Sequence, residues 1–244
     1  MSTIIAQKAQ LQGLARRQLN PASATPHNKF LKHRIHLNKM RLMSNLNQAL
    51  KKFWRFLNED NWKSTAVLLL LIIIFIRFIF FPTLSFITAS PVPIVIVESC
   101  SMYHDRSFDA WWDFNNFWYV KHNISKKDFE KFPFKNGLNK GDVIFVWGRS
   151  PVKQGDVIIF KPNPNSIARN PIIHRVISLS PLATKGDNNQ IQLVPGNNIN
   201  SIDETHISEE QVMGKAVLRI PYIGWLKLVL FEPLRPANER GFCN

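Results

Sequence analysis

A chain of 244 residues with 45% hydrophobic content is long enough for one sizeable folded domain plus attachments, and too apolar for general disorder. Its 31 basic against 17 acidic residues leave a net charge of +14, which suits nucleic acid, an anionic lipid surface or a membrane-topology signal, so the position of the charge decides. Two cysteines, Cys100 and Cys243, exclude a disulfide framework and a cysteine-built metal site, and no metal or other cofactor is expected.

Residues 1–63 carry twelve Lys or Arg against only Glu59 and Asp60, so ten of the fourteen net charges precede the first long apolar run. Pro21-Ala-Ser-Ala-Thr-Pro26 is turn-rich and reads as loose chain. Asn47 to Leu57 interleaves Lys51, Lys52 and Arg55 with Phe53, Trp54, Phe56 and Leu57, as an amphipathic helix at a membrane interface does. No motif with base-reading geometry accompanies the basic arm, so nucleic acid is not expected as a partner.

Ala66 to Thr88 is a 23-residue apolar run. At ~1.5 Å per residue it reaches across the ~30 Å hydrocarbon core. It reads as a transmembrane helix, with residues 64–88 as the anchor. The single charge, Arg77, costs about 2.5–3.5 kcal/mol on an insertion scale, less than the surrounding apolar residues return. More than sixty residues precede the run, far more than a cleaved signal peptide allows. The basic excess before it places residues 1–63 in the cytoplasm and residues 89–244 outside, beyond a cell membrane or one of endoplasmic-reticulum type.

Directly after the anchor comes Val95-Ile-Val-Glu-Ser-Cys-Ser-Met-Tyr103. A serine is a poor nucleophile without a base beside it, so the chemistry of Ser99 and Ser101 depends on residues elsewhere. Cys100 offers a rival thiol, and a bridge from Cys100 to Cys243 is a further possibility outside the cell. An insertion at about 103–139 begins with a stretch dense in aromatics up to Tyr119, which suits a headgroup-level surface, a partner face or a small satellite core. Asn123-Ile-Ser125 is a formal glycan acceptor.

Two phrases, Lys140-Gly-Asp-Val-Ile-Phe-Val-Trp147 and Gln154-Gly-Asp-Val-Ile-Ile-Phe160, each read as turn then strand, and their proximity suggests a hairpin or meander. Asp142 and Asp156 are expected to close those turns with their own side chains. A third strand, Pro171 to Ser178, sets His174 among apolar neighbours, where a lone histidine is ordinarily a packing residue. Two acidic loops follow, Thr184 to Asn189 and Ser201 to Thr205, then another strand from Val212. Trp225 to Phe231, seven residues including Lys227, is too short to span a bilayer.

In this order the motifs resemble the type I signal peptidases, of the endoplasmic-reticulum and archaeal kind. The matching boxes are Ser99-Cys-Ser-Met102, Gly155 to Phe160, His174-Arg-Val176, Lys185-Gly-Asp-Asn-Asn189 and Gly214 to Gly224, covering about residues 64–230. The resemblance implies a mainly β fold, an antiparallel catalytic domain preceded by one N-terminal transmembrane helix. It implies a serine endopeptidase that removes signal peptides from preproteins, with Ser101 as nucleophile and His174 as general base. Bacterial relatives use lysine at the histidine position. Imidazole, titrating near pH ~6.5, accepts the serine proton without severe desolvation.

The resemblance further implies an aspartate that orients the histidine, Asp203 first and Asp187 second, the latter either as that orienter or as a support for the loop. By the same resemblance the Ser99 hydroxyl and the backbone N–H of Ser101 are the expected oxyanion donors. Cys100 stands where the family usually has glycine. Substrate is expected to add as a strand along Ile94, Val95, Ile96 and Val97 and the segment holding Ile172 and Ile173. Implied partners are signal-peptide-bearing preproteins, the lipid bilayer, and the translocation machinery or accessory subunits. Two other readings compete: an inactive membrane-anchored scaffold or assembly subunit, and a self-cleaving protease acting at Ala89-Ser90.

Overall fold

The computed structural model describes residues 26–243. Pro21 to Thr25 of the turn-rich segment, and the basic residues before them, lie outside that range. Helix α1 runs Pro26–Leu57, so the expected amphipathic stretch is its last third. Asn61 then caps the next helix, its side-chain oxygen accepting the Ser64 N–H at 2.8 Å.

Helix α2, Trp62–Thr88, is long and apolar enough to cross a membrane, the one such helix among the described residues. Its α pattern gives way to a π-helical turn at Ile76–Phe80. The cause is Pro82, which lacks an N–H and whose ring crowds the carbonyl four residues earlier. The helix stops at Ala89, whose left-handed conformation (φ 50°) ends the ladder. Its last carbonyls are then taken up by the β domain: Gly148 N–H donates to Thr88 O at 2.8 Å, and Arg149 donates to Ile87 O and Phe86 O at 2.7 and 2.6 Å.

The domain that follows is a six-stranded antiparallel sheet: β1 (Ile94–Ile96), β2 (Val143–Trp147), β3 (Val157–Phe160), β4 (Ile172–Leu179), β5 (Leu182–Lys185) and β6 (Val212–Ile220). Helix α3 (Phe108–Lys121) and the short α4 (Lys126–Phe129) lie between β1 and β2, and α5 (Trp225–Phe231) follows β6. The strands are ordered β1-β2-β6-β3-β4-β5. The two Gly-Asp strands, β2 and β3, therefore do not form a hairpin. β6 lies between them, pairing Phe145 with Leu218 on one side and Ile159 with Gly214 on the other. Asp142 and Asp156 do close the turns before their strands, accepting the N–H of Asn139 at 2.7 Å and of Lys153 at 2.9 Å.

β3 is buried on both faces, so its alternation divides it between two cores. Val157 and Ile159 join Met102, Leu138, Ile144 and Val146 on one face. Ile158 and Phe160 join Ile172, Val176, Ile202 and Ile207 on the other. The aromatic insertion supplies a third core: Phe108, Trp111, Trp112, Tyr119 and Phe129 pack on Ile177 and Ala183 of β4 and β5. These rings are thus packing residues rather than a lipid-facing belt, and only Phe114 and Phe117 of the α3 aromatics stand fully outward.

Candidate active site

The loop after β1 is built to present one side chain. Val97 continues the ladder, donating its N–H to Asp142 O at 2.9 Å and accepting from Gly141 at 2.8 Å. Met102 then plugs the first core, 1% exposed, while its carbonyl accepts the Leu138 N–H at 2.7 Å. Between these fixed points Ser101 projects toward β4.

On β4, His174 lies opposite Ile158 and is 4% exposed. Its Nε2 is 2.9 Å from Ser101 Oγ. Its Nδ1 is hydrogen-bonded to Glu204 Oε1. Glu204 is fully buried; its Oε1 also accepts the Thr184 hydroxyl at 3.1 Å and its Oε2 the Leu193 N–H at 2.8 Å. An ionised carboxylate only accepts, so Nδ1 carries the proton and Nε2 is left with its lone pair toward the serine hydroxyl. The line Ser101, His174, Glu204 therefore has the polarity needed to draw a proton from the serine.

Neither aspartate expected beside His174 touches it. Asp203 turns its carboxylate onto its own loop, accepting the Thr205 N–H at 2.9 Å and the Thr205 hydroxyl at 2.7 Å. Burial alternates along the segment, with Ile202 and Glu204 buried and Asp203 between them less so, so adjacent side chains face opposite ways. With Ile202 in the core, Glu204 must share its inward side and Asp203 must not. That alternation, legible in Ser201-Ile-Asp-Glu-Thr205, is the signal that identifies Glu204.

Asp187 lies on another buried network. Its carboxylate accepts Arg175 Nε at 2.9 Å and Nη2 at 2.7 Å, the Tyr119 hydroxyl at 3.0 Å and His104 Nε2 at 3.1 Å. Burial pushes this carboxyl upward, but the Arg175 charge and the His104 and Arg175 hydrogen bonds outweigh it and hold it well below the usual range. Burial, and then the neighbouring Asp187 charge, raise the Tyr119 hydroxyl well above its ordinary value. Lys185, next to this network, is pushed down to about 8 by burial, against the opposing pull of Asp187 and Glu204.

The Lys-Gly-Asp-Asn loop also grips the nucleophile loop. Asn188 donates its N–H to Ser101 O at 2.8 Å and its side-chain amide to Cys100 O at 3.1 Å. Gly186 fits because it has no side chain: a Cβ there would lie 2.8 Å from Ser101 O and 2.9 Å from His174 Nε2. Ser99 Oγ is 3.2 Å from Ser101 Oγ, on the same side of the loop.

Cys100 is bonded to Cys243, with Cα atoms 5.6 Å apart, so no free thiol competes with Ser101. The C-terminal segment is tied in further by Arg235, which pairs with Glu98 at 2.6 Å, and by Lys140, which donates to Glu239 O at 2.6 Å. The Ala89-Ser90 bond sits in the junction of α2 with β2, where Ser90 is 2% exposed.

A cleft of about 680 Å³ opens beside Ser101 and His174. One wall is Ile94, Val95, Ile96 and Val97; the other is Asn170 to Ile173, including Ile172 and Ile173. Among the described residues β1 is an edge strand, paired on one side only with β2, which leaves its other edge open to an extended peptide.

No protein-family model matches the chain. Among curated proteins it is similar to the signal peptidase complex catalytic subunit SEC11 of Pyricularia oryzae, 24% identical over 185 residues that cover 72% of this chain and 86% of the relative. The subunit of the same name from Colletotrichum graminicola is 25% identical over 164 residues, 64% of this chain and 73% of the relative. That of Sclerotinia sclerotiorum is 24% identical over 186 residues, again 72% and 86%. These relatives, with the membrane-length helix and the antiparallel sheet, support a peptidase at a membrane that acts in signal-peptide processing.

Proposed function

We propose that this chain is a membrane-anchored serine endopeptidase that removes N-terminal signal peptides from secreted preproteins, with Ser101 as nucleophile, His174 as general base and Glu204 as the residue that orients and charge-stabilises the imidazole. The observation that carries this reading is the hydrogen-bonded line from Ser101 through His174 to Glu204 at the foot of a cleft with a free strand edge.

The substrate's extended segment pairs along Ile94 to Ile96, facing Ile172 and Ile173, and offers its scissile carbonyl to Ser101. As Oγ attacks, its proton passes to His174 Nε2, and Glu204 stabilises the resulting imidazolium. The oxyanion is held by the Ser101 N–H and the Ser99 hydroxyl, each such donor being worth about 2.7–4 kcal/mol in the transition state. Nε2 then returns the proton to the departing amine, and water resolves the acyl-enzyme by the same route reversed.

In this account residues 1–63 are a cytoplasmic arm, 64–88 the anchor and 89–244 a domain on the far side. The basic excess before α2 favours that orientation, and the Cys100–Cys243 bond suits an oxidising compartment. Preproteins and the bilayer are the immediate partners, and accessory subunits fit relatives that belong to a complex.

The test is preprotein cleavage by the full chain in lipid vesicles. Ser101→Ala and His174→Ala each abolish cleavage at the signal junction if the reading holds. Full activity in Ser101→Ala overturns it, and inactivity of the wild-type chain toward every preprotein tried favours the scaffold alternative.

A further inference from the structure

The Asp187 network is buried, charged and outside the proposed proton path, and two of its donors come from the aromatic insertion. His104 and Tyr119 contribute one hydrogen bond to each carboxylate oxygen, His104 to Oδ2 and Tyr119 to Oδ1. Arg175 fills the remaining acceptor positions and is itself fixed by the carbonyls of Pro133, Phe134 and Gly155 at 2.7–2.9 Å.

His104 has little freedom. Its ring is stacked on Trp111 with centroids 3.6 Å apart and planes within 5°. Gly137 presses against it from another side, where a Cβ would come within 2.6 Å of the ring and 2.4 Å of Met102 O. Because the carboxylate can only accept, Nε2 carries the proton, and Nδ1 has no partner among the described residues. The bond to Asp187 is the one side-chain hydrogen bond His104 makes among the described residues.

Asp187 is flanked in the chain by the two residues that touch the proposed catalytic pair. Gly186 packs between Ser101 O and His174 Nε2, and Asn188 holds Ser101 O and Cys100 O. The Asp187 N–H itself points at Met102 Sδ, 3.4 Å away. The Asp187 carboxylate is thus anchored on the same short loop whose neighbouring residues meet Ser101 and His174, which lie 2.9 Å apart.

We infer that His104 and Tyr119 are positioning residues: the insertion locks the Asp187 carboxylate through these two hydrogen bonds and thereby fixes the nucleophile loop against His174. This rests on the peptidase reading above. The inserted segment is then an internal brace for catalysis, and its effect appears in the chemical step rather than in peptide binding.

The experiment compares wild type, Tyr119→Phe, His104→Leu and His104→Gln, each as full chain in detergent, with Ser101→Ala alongside. Cleavage kinetics, Ser101 labelling by an active-site acylating probe, and thermal unfolding are measured together. Tyr119→Phe keeps the ring and its packing, and is expected to lower kcat and the labelling rate about ten-fold with KM unchanged, as loss of one hydrogen bond to a buried charge does. His104→Leu behaves likewise, and His104→Gln, which restores a donor, recovers most of the rate. Wild-type kcat in Tyr119→Phe and His104→Leu while Ser101→Ala is dead overturns the inference and leaves the peptidase reading intact. So does a fall that tracks only the unfolded fraction, with normal labelling per folded molecule. Activity in Ser101→Ala overturns the reading beneath it instead.

Discussion

Glu204 bonds His174 through Nδ1, although Asp203 precedes it in the chain and carries the same charge. Glu204→Gln replaces an acceptor-only group by one able to donate, which favours the tautomer with Nε2 protonated and blocks proton uptake from Ser101. The expected loss in kcat is about 10³–10⁴-fold. Asp203→Asn keeps the contacts to Thr205 and stays within a few-fold of wild type. Steady-state cleavage of one preprotein by both variants decides the assignment, and equal losses would return Asp203 to consideration.

Gly186→Ala tests the tight contact between the two loops. The added methyl meets the carbonyl of Ser101 and the ring of His174 at under 3 Å, so the pair must separate. Cleavage is expected to fall by about 100-fold, a 1 Å displacement being enough for that. Thermal unfolding moves little, because the strain is relieved by loop shift. A variant with wild-type turnover would show the contact to be slack.

The bond between Cys100 and Cys243 closes a loop of sequence separation 143. Replacing both by serine is expected to cost about 2–5 kcal/mol of stability yet leave Ser101-dependent cleavage measurable. Urea unfolding of the double variant, with activity assayed below its transition, checks both halves. Abolished activity in the folded double variant would give Cys100 a role beyond the cross-link.

Lys185 provides the pH signature. Burial lowers its ammonium to about 8 from an ordinary 10.5. Between those values the unfolded chain binds the extra proton, so stability rises with pH by up to about 1.4 kcal/mol per unit. The penalty of the charged form is complete below about pH 8 and gone above about 10.5. In Lys185→Met this rise disappears, and unfolding midpoints of the two proteins at pH 7.5 and 9.5 report the difference. Parallel changes in both would remove Lys185 as its source.

The sequence revealed most where chemistry and periodicity coincide. The membrane-length helix, the Gly-Asp turns, and the proximity of Ser101 to His174 come from local composition and from boxes in a familiar order. What it hid depends on distance along the chain. β6 inserts between β2 and β3 because Met213 and Ala216 complete the first core, a choice made by tertiary packing that neighbouring turns do not encode. The aromatics of α3 gave an ambiguous signal because the same residues suit lipid and a buried satellite core. Glu204 is legible in the inward parity that Ile202 fixes, whereas the aspartate expected beside His174 stands one residue away and bonds its own loop.

On β4 the adjacent residues His174 and Arg175 serve different duties, one toward Ser101, the other toward Asp187. Sliding that strand by a single position would exchange imidazole for guanidinium beside the serine, giving a group that never surrenders its proton at physiological pH. On the proposed mechanism the alignment of β3 with β4 is therefore as much a determinant of turnover as any functional group, and a mispaired sheet, however well packed, would be chemically silent.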